Sequence, residues 1–269
     1  MSVAVFLPAP QLSHVRHVLA HEPELLVAET WEELEAFIHR KPVTVVILDP
    51  LADGIMNVAV VASLLTRFPS LPLIAYVSLG ASAFNAIAQL SRLGLEDVLL
   101  HRFDDAPERF KERVERVQGN PLSQKVIDSL APLLARLPLQ VASAIENMFE
   151  QPHRYGSAGD LAMGAKIPIV RLYRNLNVAH LGSPKKLLVA AKLLRGYSYL
   201  RDPGYTVVDV SVKLGYRTTR VFNHHSVSVF GLTPLKVRMR VAEADAVRSI
   251  LDWLKEPMSN GKSARAYSH

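Results

Sequence analysis

Two stretches carry side chains that could read the edges of DNA bases. The first is D-L-A-M-G-A-K-I-P-I-V-R-L-Y-R-N-L-N, residues 160–177, and the second is V-V-D-V-S-V-K-L-G-Y-R-T-T-R-V-F-N-H-H-S, residues 207–226. Each has the pattern of a helix, a tight turn and a second helix, the arrangement that lays its second helix in the major groove. In the first, Ile169, Leu172 and Leu176 share one helical face, expected to enter a core. Val170, Arg171, Arg174 and Asn177 share the other, with Tyr173 beside them. In the second, Phe222 and Val229 are expected inward, while Arg220, Asn223, His224 and Val227 are expected outward, preceded by Arg217, Thr218 and Thr219. Arginine can pair bidentately with guanine and asparagine with adenine. A different chemistry is suggested by His14, His17 and His21, whose spacing puts them on one face of a helix. Three imidazoles can bind zinc, but one helix seldom makes them converge. A solvated histidine-rich face is the reading favoured, with no metal or other cofactor expected.

These side chains need elements that hold them. Pro168 suits the first turn of a helix, where a missing N–H is harmless. Gly215 suits the turn of the second motif, and Thr218 or Thr219 can cap the helix that follows. Between the motifs runs S-P-K-K-L-L-V-A-A-K-L-L-R-G-Y-S-Y-L, residues 183–200, expected to be one helix linking them. Lys185 and Lys186, within it, are expected to touch phosphate if they touch DNA.

Charge is divided unequally. Residues 151–256 carry seventeen Lys and Arg against seven Asp and Glu, whereas residues 1–120 carry ten against fifteen. The overall +6 thus conceals a basic half and an acidic half. A basic surface gains affinity for duplex DNA by releasing counterions. The chain of 269 residues is long enough for two domains, and its 49% apolar content is ample for two cores. The absence of cysteine excludes a disulfide framework and a Cys-based zinc site. Neither a signal peptide nor a membrane span is expected, which fits a cytoplasmic protein with no membrane partner.

In the first half, short apolar runs at 3–7, 24–28, 43–48, 71–77 and 96–100 read as strands. Helical patterns at 11–20, 31–40, 55–67, 82–92 and 107–117 alternate with them. Near-continuous apolar runs are expected of parallel strands covered on both faces. The alternation predicts an α/β, flavodoxin-like five-stranded parallel sheet in the order 2-1-3-4-5. V-I-L-D-P sets Asp49 at the end of the third strand, and G-L-E-D-V-L-L-H-R-F runs through the fifth. In both, the chain resembles the receiver domain of bacterial response regulators. That resemblance would make Asp49 the phospho-acceptor. However, Pro8, Ala9 and Pro10 follow strand one where receivers carry an acidic pair for magnesium. His101 and Arg102 end strand five where receivers have Lys-Pro. A divalent ion would keep too few carboxylates, so a receiver-like domain that is not phosphorylated is expected. Asp49 then serves as a strand-end turn residue before Pro50.

Gly119-Asn120-Pro121 should end the last helix of that domain. Residues 126–149, V-I-D-S-L-A-P-L-L-A-R-L-P-L-Q-V-A-S-A-I-E-N-M-F, are apolar and almost uncharged, with Pro132 and Pro138 limiting helix length. So much apolar surface needs a partner. A homodimer seam is favoured over packing within the chain.

From Leu161 to Arg238 the spacing resembles the AraC family of transcription regulators. Leu161-Ala162 opens the first motif, Arg174 and Leu176 fall in its recognition helix, and Ser183-Pro184 begins the linking helix. Gly215-Tyr216 and Phe222 follow, and G-L-T-P with Arg238 closes the run. The resemblance implies an all-α domain with tandem helix-turn-helix motifs, double-stranded operator DNA as partner, and contact with RNA polymerase. Ser226 stands where the family has an aromatic residue and His224 where it commonly has Arg. The first motif is therefore expected to dominate recognition.

The organisation expected is a receiver-like domain at 1–119, an apolar helical connector at 120–152, a DNA-binding domain at 153–257, and a disordered tail at 258–269. The function expected is transcription regulation without enzymatic activity, since no phosphate-binding glycine loop or nucleophile motif is present. The alternatives are a phosphorylated response regulator using Asp49 and an interaction scaffold that clamps DNA without reading it.

Overall fold

The structure is a computed structural model that describes residues 2–20 and 24–255. The expected tail at 258–269, and His21, lie outside the described residues.

Five strands form one parallel sheet in the order β2-β1-β3-β4-β5. They are β1 (Ser2–Phe6), β2 (Leu25–Val27), β3 (Val43–Leu48), β4 (Leu73–Val77) and β5 (Asp97–Leu100). Every residue of β1, β3 and β4 is buried, the reason these strands read as unbroken apolar runs. Five helices alternate with the strands: α1 (Ala9–Val18), α2 (Trp31–Arg40), α3 (Val58–Arg67), α4 (Ala81–Ser91) and α5 (Pro107–Gln118). The start of α2 is fixed by Thr30, whose hydroxyl accepts the Glu33 N–H at 3.2 Å. Val3, Val5, Val45, Ile47, Ile74 and Tyr76 form the core on one side of the sheet, closed by Val15 and Leu19 of α1 and by Phe110 and Val114 of α5. This is the flavodoxin-like architecture.

The rest of the chain is helical. It comprises α6 (Pro121–Leu134), α7 (Leu139–Glu150), α8 (Ala158–Gly164), α9 (Ile169–Val178), α10 (Pro184–Arg201), α11 (Val207–Lys213), α12 (Thr219–Phe230), α13 (Pro234–Arg240) and α14 (Glu243–Lys255). The linking segment 183–200 lies within the single helix α10, apart from Ser183. Helix α6 continues through Pro132, while Pro138 stands immediately before α7.

The chain divides into two compact units. The sheet unit holds the residues up to Asn120 together with Gly196–Phe222; the helical unit holds Pro121–Arg195 and the residues from Asn223 onward. Gly196–Phe222, which falls within the expected domain at 153–257, belongs here to the sheet unit. Its placement with the sheet has a clear physical cause. Lys213 is 2% exposed and donates from Nζ to the carbonyls of Ile38 at 2.7 Å and Lys41 at 2.8 Å, at the end of α2. The same ammonium lies 4.7 Å from the Tyr205 ring centre and 5.1 Å from that of Tyr199. Asp202 accepts from Ser70, at 3.0 Å from its N–H and 2.6 Å from its hydroxyl. Gly204 donates to the Arg67 carbonyl at 2.8 Å, and a Cβ there would come within 2.4 Å of Phe68. Only glycine permits that approach.

In the helical unit most of the connector's large apolar side chains are covered by the chain itself, with Leu139 exposed. Val126, Leu130 and Leu134 of α6 and Val141, Ile145, Met148 and Phe149 of α7 are all buried. Helix α6 packs on α7 and α14, and α7 on α8. Ser123 of α6 donates to the Phe149 carbonyl at 2.7 Å. The surface that suggested a dimer seam is thus used for packing within one chain.

Candidate nucleic-acid interface

The two helix-turn-helix motifs are built alike through their first helix and the start of the turn. Helix α8 starts from a capping box in which Ser157 accepts the Asp160 N–H and the Asp160 carboxylate accepts the Ser157 N–H. Helix α11 starts from the same box made by Thr206 and Asp209. Burial alone would raise the Asp209 pKa, but the hydrogen bonds from Thr206 and the nearby His39 outweigh it and hold the carboxyl below its ordinary range.

Each first helix ends in a residue with positive φ, Lys166 at 54° and Gly215 at 69°. The next N–H reaches back into the helix: Ile167 to the Ala162 carbonyl and Tyr216 to the Ser211 carbonyl, both at 3.0 Å. The second turn then holds one more residue, because Arg217 enters between Tyr216 and the cap. Thr218 is that cap, with its hydroxyl 3.4 Å from the Val221 N–H. Pro168 holds the corresponding place before α9.

The second helices therefore match residue for residue from their starts. Leu172 and Phe222, the fourth residue of each, are 0% exposed. Phe222 packs on Tyr216 with ring centres 5.3 Å apart. Leu176 and Ser226 follow one turn later, 1% exposed in both cases. Ser226 is not a gap in that core, since its hydroxyl donates to the Leu232 carbonyl at 2.8 Å. The premise for a weaker second motif is therefore removed at this position.

The candidate base-reading side chains differ in exposure. Val170, Arg171, Tyr173, Arg174 and Asn177 are exposed on α9. Ile169 is a correction: it is 43% exposed instead of buried, because the first turn of α9 projects past the core that receives Leu172. In the second motif Arg217, Thr218, Arg220 and His224 are exposed, as is Val227, and Thr219 is half-buried. Asn223 is half-buried, and its Oδ1 is enclosed without a hydrogen-bond partner. Lys185 is exposed, but Lys186 is committed to packing. Its Nζ donates to the Trp253 carbonyl at 3.0 Å and lies 4.4 Å from the centre of the indole ring.

Sequence reasoning missed His225. Burial, reinforced by His224, Lys185 and Lys192, pushes its pKa down to about 4. Lys192 is itself lowered by burial. A cationic neighbourhood therefore joins the start of α10 to α12.

The receiver-like site differs from an open phospho-acceptor. Asp49 is 4% exposed. One oxygen accepts from Gln11 Nε2 and the other from the Leu51 N–H, both at 2.9 Å. Burial raises its pKa, and those two hydrogen bonds oppose the rise. The bond to Leu51 is that of a turn residue.

His101 belongs to a second polar cluster, at the end of β5. The Tyr76 hydroxyl donates to Asp105 Oδ2 at 2.5 Å, and His101 Nδ1 lies 3.0 Å from that oxygen. His14 joins this cluster, with Nε2 2.7 Å from the Asp105 carbonyl oxygen. The expected solvated histidine face is therefore corrected: His14 is half-buried against Phe110, while His17 is exposed. Among the described residues no group of three ligands is placed to hold a metal ion. No described helix is long and apolar enough to cross a membrane.

No protein-family model matches this chain, and no curated protein matches it either. Among solved structures it is similar to NtrX from Brucella abortus in complex with ADP, at 18% identity and a TM-score of 0.36, over 61% of this chain and 40% of that one. It is similar to full-length FixJ from B. japonicum at 15% identity and a TM-score of 0.37, over 89% and 95% of the two chains. It is also similar to the xylose-binding transcription activator xylR at 14% identity and a TM-score of 0.34, over 88% and 70%. At these scores none of the likenesses bears on the chemistry of the site.

Proposed function

We propose that this chain is a sequence-specific, AraC-type DNA-binding transcription regulator whose receiver-like half works without phosphorylation. The observation that carries the reading is the duplicated motif: two helices, α9 and α12, each held by the same capped helix and turn, each burying one stripe and exposing the other. Exposed Arg171, Arg174, Asn177 and Arg220 supply hydrogen-bond donors of the kind that pair with base edges. The basic balance of residues 151–256 supplies the attraction to phosphate that brings the helices to the groove.

Control without phosphorylation is supported by Gln11 on the Asp49 carboxylate and by the absence of an acidic pair after β1. Cytoplasmic duplex DNA is the partner in this reading, together with RNA polymerase and a second copy of the chain. The burial of Val126, Leu130, Val141, Ile145, Met148 and Phe149 within one chain speaks against those side chains as the seam between copies.

Titration of the full chain against a selected duplex and a scrambled one, at one fixed salt concentration, tests the reading. Arg174→Ala or Arg220→Ala should cost about 1–3 kcal/mol on the selected duplex and little on the scrambled one. Equal losses on both would favour a scaffold that binds DNA without reading it.

A further inference from the structure

We propose that the second residue of each recognition helix makes the two motifs read different bases, with Val170 selecting thymine and Arg220 selecting guanine at equivalent places in their subsites. The inference rests on the DNA-reading function proposed above.

Equivalence comes from the cores. Leu172 and Phe222 are each the fourth residue of their helix, and both are fully buried. Each takes its N–H bond to the residue before the helix, Leu172 to the Pro168 carbonyl and Phe222 to the Thr218 carbonyl. With the helix phase fixed in this way, Val170 and Arg220 leave their helices in the same direction from the first turn. That is the turn from which helix-turn-helix proteins contact base edges.

The two side chains have opposite chemistry. Val170 is 77% exposed, with Ile169 at 43% and Tyr173 at 46% beside it, so the first turn of α9 offers apolar contact next to the exposed Arg171 and Arg174. In the major groove the apolar partner is the 5-methyl group of thymine. Arg220 is exposed and can donate two hydrogen bonds to the N7 and O6 of guanine. Asn223, on the same helix, has its side-chain oxygen already enclosed. Two subsites that differ at this position fix the direction in which the protein lies on its operator.

The test begins with selection of the full chain on a random duplex library. The enriched sequence should contain one subsite with thymine and another with guanine at the position governed by the second helical residue. Replacing that thymine by uracil removes only the methyl group and should weaken binding roughly fourfold, the equivalent of one buried methyl. Val170→Ala, with a shorter apolar side chain, should reduce that dependence, and Val170→Arg should change the selected base from thymine to guanine. Val170 is a surface residue, so both variants keep the fold. Selective binding that ignores the methyl group, or an unchanged base preference in Val170→Arg, would overturn this inference and leave the proposed function standing. Failure to enrich any sequence would overturn both.

Discussion

Replacing Lys213 with Met should destabilise the sheet unit by about 1–2 kcal/mol, and replacing it with Ala by about 4 kcal/mol. The difference follows from what each change removes. Met keeps most of the stem but leaves the carbonyls of Ile38 and Lys41 without the ammonium that reaches them at 2.7 and 2.8 Å. A hydrogen bond to a charged group contributes about 1.5–3 kcal/mol, so the two together amount to about 3–6 kcal/mol before any offset. Keeping an ammonium at 2% exposure costs several kcal/mol of lost hydration, which Met relieves. The balance is a modest loss. Ala also removes three buried methylenes at about 0.8 kcal/mol each and leaves a cavity between Tyr199 and Tyr205.

The two tryptophans make the assay local, since Trp31 lies in the sheet unit and Trp253 in the helical unit. Equilibrium urea unfolding followed with each tryptophan replaced in turn should show the larger midpoint change in the Trp31 signal. Slower or unchanged amide exchange over residues 206–213 in the Met variant, with no loss of stability, would refute the idea that the ammonium anchors α11.

Further predictions concern other parts of the chain. Acetyl phosphate with magnesium should leave Asp49 unmodified, as read by mass spectrometry; an adduct that disappears in Asp49→Asn would restore the phosphorylated reading. Ile145→Asp should abolish the cooperative unfolding of the helical unit, because Ile145 is fully buried within one chain; light scattering that finds a folded monomer where the parent is a dimer would return α7 to a subunit seam. Stability should fall as pH drops from about 6.5 toward 4. Burial, aided by Arg154 and Arg195, pushes His153 down to about 3, and His225 is held at about 4, so the unfolded chain binds protons that the folded chain refuses. Thermal midpoints between pH 7.5 and 5 should show the decline, and His153→Phe should reduce its slope.

The fold was legible in the sequence where burial is two-sided. Strands β3 and β4 are covered on both faces, so 43–48 and 71–77 carry no polar alternation that could be confused with a helix. The motifs were legible because capping and turn residues act locally: Ser157 and Asp160, Thr206 and Asp209, and Gly215 each work within a few residues of themselves.

What depends on distant neighbours was not legible. Lys213 looks like a solvated lysine in the last turn of a short helix. It becomes a buried anchor only when the end of α2, about 170 positions earlier, supplies two carbonyls. His14 has the spacing of a surface stripe, yet the loop before α5 covers it. Ile169 has the spacing of a core residue, yet helical periodicity does not tell how far a core extends toward a helix end. The connector's apolar run announced that it would be covered, but not by which surface.

The Lys213 anchor has one more consequence, for how this chain can change over generations. Its two acceptors are main-chain oxygens, which every residue type provides. Side chains at positions 38 and 41 can therefore be replaced without removing the acceptors, provided the end of α2 keeps its shape. The opposite side of the contact has no such freedom: the ammonium of Lys213, the carboxylate of Asp202 and the bare α-carbon of Gly204 are each used as such. Substitutions should accumulate readily on the α2 side and be purged on the other. A chimaera that exchanges the first 120 residues for another parallel-sheet domain would need the same backbone geometry at that helix end, together with a hydroxyl in the place of Ser70.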